Sequence, residues 1–247
     1  METLRLFDLP IRDATLPEAV EWLVHAPAPP PGRKVYFVNA HGVNMMRSNR
    51  QYREALRRAD GLFADGTGMR WAARALGRRL RDNVNGTDLY PLLCPALQKR
   101  GWRIFLLGAQ PGIAEQMRER TVAQYPGLNI CGTHHGHFLP EENDRIIHLI
   151  RESKTDLLLV AMGIPKQELW LDRHLEATGA RAGLGVGGLF NFYSGTIPRA
   201  PLWMRRAGLE WLHRLYQEPG RLWKRYLIGN GRFLRLVVQE WMKHSIR

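Results

Sequence analysis

Asp65 ends a short apolar run and opens the glycine turn Asp65-Gly66-Thr67-Gly68. A carboxylate between a strand end and such a turn can face a cleft and take a proton from a substrate hydroxyl. The flanking glycines let a ligand approach the backbone closely. Capping of the next helix is the competing use of the same carboxylate. A second constellation is Gly163-Ile164-Pro165-Lys166-Gln167-Glu168, set between an apolar run and an amphipathic stretch. Proline in a first helical turn leaves amide N–H groups facing outward, where a diphosphate can sit. Gln167 and Glu168 could then hydrogen-bond sugar hydroxyls, although helix-start chemistry with Glu168 near the dipole accounts for them equally. The third is the glycine-rich run 183–188, GLGVGG, whose successive amides could converge on an anion. A dinucleotide fingerprint follows the first strand and opens a helix, whereas this run comes late. A nicotinamide-dependent oxidoreductase is therefore disfavoured.

Other chemistries find no residues to carry them. His134, His135 and His137 are close in sequence but have no Cys or carboxylate at ligand spacing, so no metal site is expected. There is no DxD carboxylate clamp, P-loop, HExxH or Gly-x-Ser-x-Gly elbow, and no cofactor is implied. The only cysteines, Cys94 and Cys131, do not form a CxxC pair, which argues against a disulfide framework.

Charge is concentrated at one end. Residues 199–247 hold eleven Lys or Arg against Glu210, Glu218 and Glu240, and so contribute +8 of the formal +13. Trp203, Trp211, Trp223 and Trp241 are interleaved with them. Cations and interfacial aromatics at helical spacing suit anionic phosphates above an apolar layer. A basic nucleic-acid-binding protein is the alternative from another class, but no binding module accompanies the charge. No stretch approaches the ~20 apolar residues that span a bilayer. The first thirty residues carry Asp8, Asp13, Glu18 and Glu21 and do not read as a secretion signal. Membrane contact is therefore expected to be peripheral.

The elements that must position these groups alternate. Strands are predicted at 34–38, 61–64, 102–107, 128–133, 156–161 and 181–186. Helices are predicted at 41–58, 68–76, 88–99, 111–125, 141–152 and 165–177. This spacing predicts an α/β fold, a parallel sheet with helices on both faces, whose ligands sit beyond the carboxyl ends of the strands. Small and polar residues gather there: Asn39 after the first strand, Asp65 after the second, Gly108 after the third and Gly163 after the fifth. Residues 26–32 form a proline-rich connector. After Pro198 only helices are predicted, at 203–216, 219–228 and 232–243, with Gly229-Asn230-Gly231 as a break. The organisation expected is a core of residues 1–198 and a basic amphipathic appendage of residues 199–247.

Several stretches resemble the WecG/TagA/CpsF glycosyltransferases of bacterial surface-polysaccharide assembly. They are ADGTGMRWAARALG at 64–77, VNGTDLYP at 84–91, FLLGAQPGIAE at 105–115, MGIPKQE at 162–168 and the long run from GVGGLFNFYSGTIPRAP to GRLWKRYL at 185–227. Together they cover most of residues 35–228, in order. The resemblance implies a Rossmann-like core and a metal-independent, inverting transfer from a UDP-sugar to an undecaprenyl-diphosphate-linked saccharide. It also implies an appendage docking on the cytoplasmic face of the bacterial inner membrane, an anionic surface, and is compatible with a homo-oligomer. Asp65 becomes the general base and Gln167 a polar active-site residue. Substrate-binding positions are Asn39, Asn85, Gly86, Asp88, Gly108, His137, Gly163, Lys166 and Glu168, with Gly187 and Asn191 near the nucleotide. Arg199, Arg214 and Arg221 come from the appendage, the last two as diphosphate contacts.

Departures from the family pattern bear on the sugar. Phe37 stands where relatives often have Thr, and Asn83 where they often have Arg, a charge that Arg81 is placed to replace. His137 replaces a Tyr and Asn191 an Asp. These changes weaken a claim of N-acetylmannosamine specificity. The LRDNVNGTDLYP stretch resembles the branch with the xanthan-type β-1,4-glucosyltransferase, so glucose is the expected donor sugar for exopolysaccharide synthesis. N-acetylmannosamine or its uronic acid is the alternative.

Overall fold

A computed structural model describes residues 1–245. It opens on an antiparallel hairpin, β1 (Glu2–Leu6) and β2 (Leu9–Asp13), which the periodicity reading does not predict. Phe7 and Asp8 both have positive φ, which gives the two-residue turn the twist such hairpins favour. Helix α1 (Leu16–Val24) follows, capped reciprocally by Thr15 and Glu18.

The main sheet has six parallel strands: β3 (Arg33–Val38), β4 (Gly61–Ala64), β5 (Arg103–Gly108), β6 (Asn129–His134), β7 (Leu157–Ala161) and β8 (Ala182–Gly185). Their order is β4-β3-β8-β7-β5-β6, and all pairings are parallel. The predicted α/β sheet with helices on both faces is thus observed. Both faces are covered, which is why the central strands read as unbroken apolar runs. Ile104, Leu106, Leu157 and Leu159 point into one core layer, and Phe105, Leu107, Leu158 and Val160 into the other.

Helices α2 (Ala40–Ser48), α3 (Arg50–Arg57), α4 (Thr67–Ala75), α7 (Asn143–Glu152) and α8 (Lys166–Thr178) contribute to the second layer. The first is covered by α1, α5 (Gly86–Lys99), α6 (Ile113–Gln124) and α9 (Leu189–Tyr193). The single helix predicted over 41–58 is two, because Asn49 leaves the helical conformation and caps α3 through Tyr52 N–H.

Beyond Pro198 come α10 (Leu202–Arg206), α11 (Glu210–Gln217), α12 (Pro219–Trp223), a π-helical turn (Lys224–Ile228) and α13 (Gly229–Ser245). The helix predicted over 203–216 is broken at Gly208, which has φ +73°. The break predicted at 229–231 does not occur, since helical backbone continues from Ile228 through Gly229. Packing overrides the two glycines: Asn44 Nδ2 donates to Gly229 O (2.7 Å), while Phe233 and Val237 enter the second core layer. Phe233 lies 5.6 Å, centroid to centroid, from Phe7 of the hairpin turn. Among the described residues no helix is long and apolar enough to cross a membrane.

Candidate active site

From β3 the chain moves outward to β4, and the connection after β4 carries it to the far side of the sheet at β5. In open parallel sheets the ligand crevice lies where the strand order reverses, outside the carboxyl ends of the strands. Asn39, Asp65, Gly163 and Gly187 follow strand ends there, and Gly108 is the last residue of β5.

Asp65 is held on three sides. Its N–H donates to Val38 O (2.9 Å), and its Oδ2 accepts from Asn39 Nδ2 (3.3 Å). Asn39 Oδ1 at the same time caps α2 by accepting from Gly42 N–H (3.1 Å). The next residue, Gly66, has φ +91°, and its N–H donates to Asn83 Oδ1 (2.6 Å). Burial pushes the Asp65 carboxyl above the ordinary carboxylate range, partly offset by the Asn39 hydrogen bond and the positive charge of Arg225 and Arg214. A carboxylate of raised pKa is a stronger base.

Gln167 joins two loops. Its Oε1 accepts from Gly163 N–H (3.1 Å) after β7 and from Gly187 N–H (3.0 Å) after β8. Its Nε2 donates to Glu168 Oε1 (2.8 Å). Both side chains are buried, Glu168 completely, so they underlie the loops and present no polar atom to a sugar in this arrangement. Burial lifts the Glu168 carboxyl to about 8. Within the glycine-rich run, Val186 N–H donates to Val160 O (2.9 Å) and Gly187 N–H to Gln167 Oε1 (3.0 Å).

Gly108 is required by packing. With φ +146° it lies so close to the Ala161 backbone that a Cβ would collide with it. Ala109 O accepts from Gly136 N–H (2.9 Å), and Gly136 O accepts from Lys166 Nζ (3.0 Å), which also lies over the Phe138 ring. His137 is exposed on that loop.

The segment beyond Pro198 packs against this end of the sheet. Arg199 Nη2 donates to Asp88 Oδ1 (2.6 Å) and its Nε to Glu210 Oε1 (3.2 Å), tying α5 to α11. Asn85 caps α5 through Asp88 N–H and also donates to Asp88 Oδ2 (2.7 Å). Gly86 at the start of α5 packs close to Val186 and Phe37. The Arg214 guanidinium lies against Gly188 and over the Phe192 ring at 5.3 Å. Asn191 is half-buried, its carbonyl accepting from Ile197 N–H (3.0 Å). The Arg221 side chain lies outside the described residues.

Sequence reasoning misses two contributors and misplaces a third. Arg225 acts electrostatically on Asp65 and, after burial, helps hold the His41 imidazole down to about 4. Its place four residues beyond Arg221, one helical turn, is the signal that could have found it. Asn83 stands out only as a missing arginine, yet it pins the Asp65–Gly66 turn. Arg81 does not replace that arginine: it pairs with Asp13 (3.2 Å) and Glu18 (2.7 Å) at the hairpin. Among the described residues no group of three or more His, Cys, Asp or Glu could hold a metal ion.

The family model described as "Glycosyl transferase WecG/TagA/CpsF family" matches residues 4–247. An N-acetylglucosaminyldiphosphoundecaprenol N-acetyl-beta-D-mannosaminyltransferase of Bacillus subtilis (strain 168) is 28% identical over 246 residues, 99% of this chain and 95% of the relative. A protein of the same description from Bacillus spizizenii is 30% identical over 179 residues, 72% of this chain and 68% of the relative.

Proposed function

Because the chain belongs to the WecG/TagA/CpsF glycosyltransferase family, we propose that its crevice moves a sugar from a UDP-sugar to an undecaprenyl-diphosphate-linked saccharide. The observation that carries this reading is the pairing of a pinned, raised-pKa Asp65 with Arg214 lying against Gly188. A base and a phosphate-binding cation then act in one crevice. In this scheme Asp65 takes the proton of the acceptor hydroxyl while that oxygen attacks the anomeric carbon of the donor. The bond from that carbon to the diphosphate breaks, with inversion. The negative charge developing on UDP is met by Arg214 and Arg225, since guanidinium forks suit phosphate oxygens. With these cations in place no divalent metal is needed, so a chelator should leave turnover unchanged.

The donor sugar is N-acetylmannosamine in this reading. Both relatives transfer N-acetylmannosaminyl groups to an N-acetylglucosaminyl-diphosphoundecaprenol, and this similarity outweighs the LRDNVNGTDLYP resemblance that suggested glucose. Gln167 and Glu168 act by fixing the Gly163 and Gly187 loops. Residues 199–247 form the basic appendage, whose exposed Trp203, Tyr216, Leu227, Leu234 and Trp241 face an anionic membrane on the cytoplasmic side. The test is a transfer assay with a short-chain lipid-diphosphate N-acetylglucosamine acceptor and a panel of UDP-sugars. Product from UDP-N-acetylmannosamine is expected. Turnover with UDP-glucose alone would restore the glucose reading, and no transfer from any UDP-sugar would reject the substrate class.

A further inference from the structure

A second basic and aromatic surface lies outside the appendage. Residues 66–81 hold Arg70, Arg74, Arg78, Arg79 and Arg81 and no acidic residue. Arg81 is paired with Asp13 and Glu18, whereas the other four make no ion pair among the described residues. On α4 the core side is Met69, Ala72 and Ala73. The opposite side presents Arg74 and, 68% exposed, Trp71. Arg78 and Arg79 continue this exposed strip past the helix end. At that exposure the Trp71 indole buries only a minor part of its surface in the fold.

The start of α4 adjoins the appendage at two neighbouring residues. Gly68 touches Phe233 of α13, and Trp71 follows Gly68 by three residues, on the same face of α4. Thr67 Oγ1 donates to Gly208 O (3.3 Å) in the α10–α11 connection. Trp71 thus lies near α13, whose outward residues include Leu234, Arg235, Val238 and Trp241.

We propose that the Trp71–Arg74–Arg78 strip is a second lipid-contact surface, seated on the same anionic bilayer as α13. The proposal rests on the membrane reading of the appendage. Charge selects the occupant: a lipid headgroup layer offers many phosphates to guanidiniums that have no acidic partner, above an apolar zone that accepts an indole. Two contacts on different elements fix the protein's orientation on the bilayer as well as its affinity, which would set the height of the site above a lipid-linked acceptor.

The experiment is co-sedimentation of the full chain with phosphatidylglycerol–phosphatidylcholine vesicles over a range of salt. The variants are Trp71→Ala, Arg74→Glu/Arg78→Glu and, in parallel, Arg232→Glu/Arg235→Glu. All these side chains are exposed, and thermal melts check that each variant is folded. The Arg74→Glu/Arg78→Glu protein is expected to partition about tenfold more weakly at low salt, with a shallower salt dependence. Trp71→Ala should weaken partitioning severalfold at every salt concentration. If the α4 variants partition like the unaltered protein while Arg232→Glu/Arg235→Glu loses binding, the strip is not a lipid contact and the appendage reading stands. Failure of the unaltered protein to bind these vesicles would overturn both. Loss of self-association or of DNA binding in the α4 variants, with vesicle binding intact, would also overturn the proposal.

Discussion

Asn39 spends one amide on two elements: its Oδ1 caps α2, and its Nδ2 donates to Asp65 Oδ2 across 3.3 Å. The hydrogen bond favours the charged carboxylate, so it draws the Asp65 pKa down against the burial that raises it. Asn39→Ala should remove both contacts. Stability should fall by about 1 kcal/mol through the lost cap. The acid limb of the kcat/KM profile should move to higher pH, because Asp65 would then hold its proton longer. An unmoved limb would show that this hydrogen bond does not tune the base.

Gln167→Ala should loosen two loops together. Gly163 and Gly187 would lose their shared acceptor and Glu168 its donor; the last bond is buried, and its loss costs about 1–3 kcal/mol. The expected kinetic result is a raised KM for the UDP-sugar, with little change in the pH profile set by Asp65. A large pH shift with unchanged KM would instead place Gln167 at the proton transfer.

Glu168 makes stability depend on pH. Its folded pKa of about 8 exceeds the ordinary value of 4.5, so between these values the folded state binds more protons than the unfolded one. Stability therefore falls as pH rises from about 4.5 toward about 8. Glu168→Gln keeps an oxygen for the Gln167 Nε2 donor and abolishes the charge. Melting temperatures at pH 5.5 and 8 should differ less in this variant, which should be the more stable form at pH 8. An unchanged pH slope would assign the effect to another group.

The appendage arginines should be tested by point substitution, because deleting residues 201–247 would remove Phe233 and Val237 from the core and uncover Phe7. Arg214→Ala and Arg225→Ala should each lower turnover about tenfold or more on a water-soluble acceptor, where membrane docking has no part. Undiminished turnover in both would leave the appendage only an anchor.

Period and composition made the sheet legible: apolar runs such as 157–161 are continuous because both faces are buried. The hairpin of residues 2–13 escaped because its turn, Phe7-Asp8, lacks the glycine or asparagine that marks such turns. Gly229 and Gly231 suggested a break that docking against α2 overrides. At the site, Asp65 and its glycines were visible from their place after a strand. The roles of Asn83 and Arg225 were not, since each depends on a contact between segments far apart in the chain. The burial of Gln167 and Glu168 was hidden for the same reason: a polar pair after a strand looks the same whether it faces a ligand or supports the loops beside it.

The most direct measurement is single-turnover transfer by Asp65→Asn, with UDP binding measured in parallel. The amide still accepts a hydrogen bond from Asn39 but cannot take the acceptor's proton at neutral pH. Transfer should fall by ~10²–10⁴-fold, the acid limb should vanish from the residual activity, and UDP affinity should be largely kept. An Asp65→Asn protein that retained more than about half its turnover would contradict the assignment of Asp65 as the base.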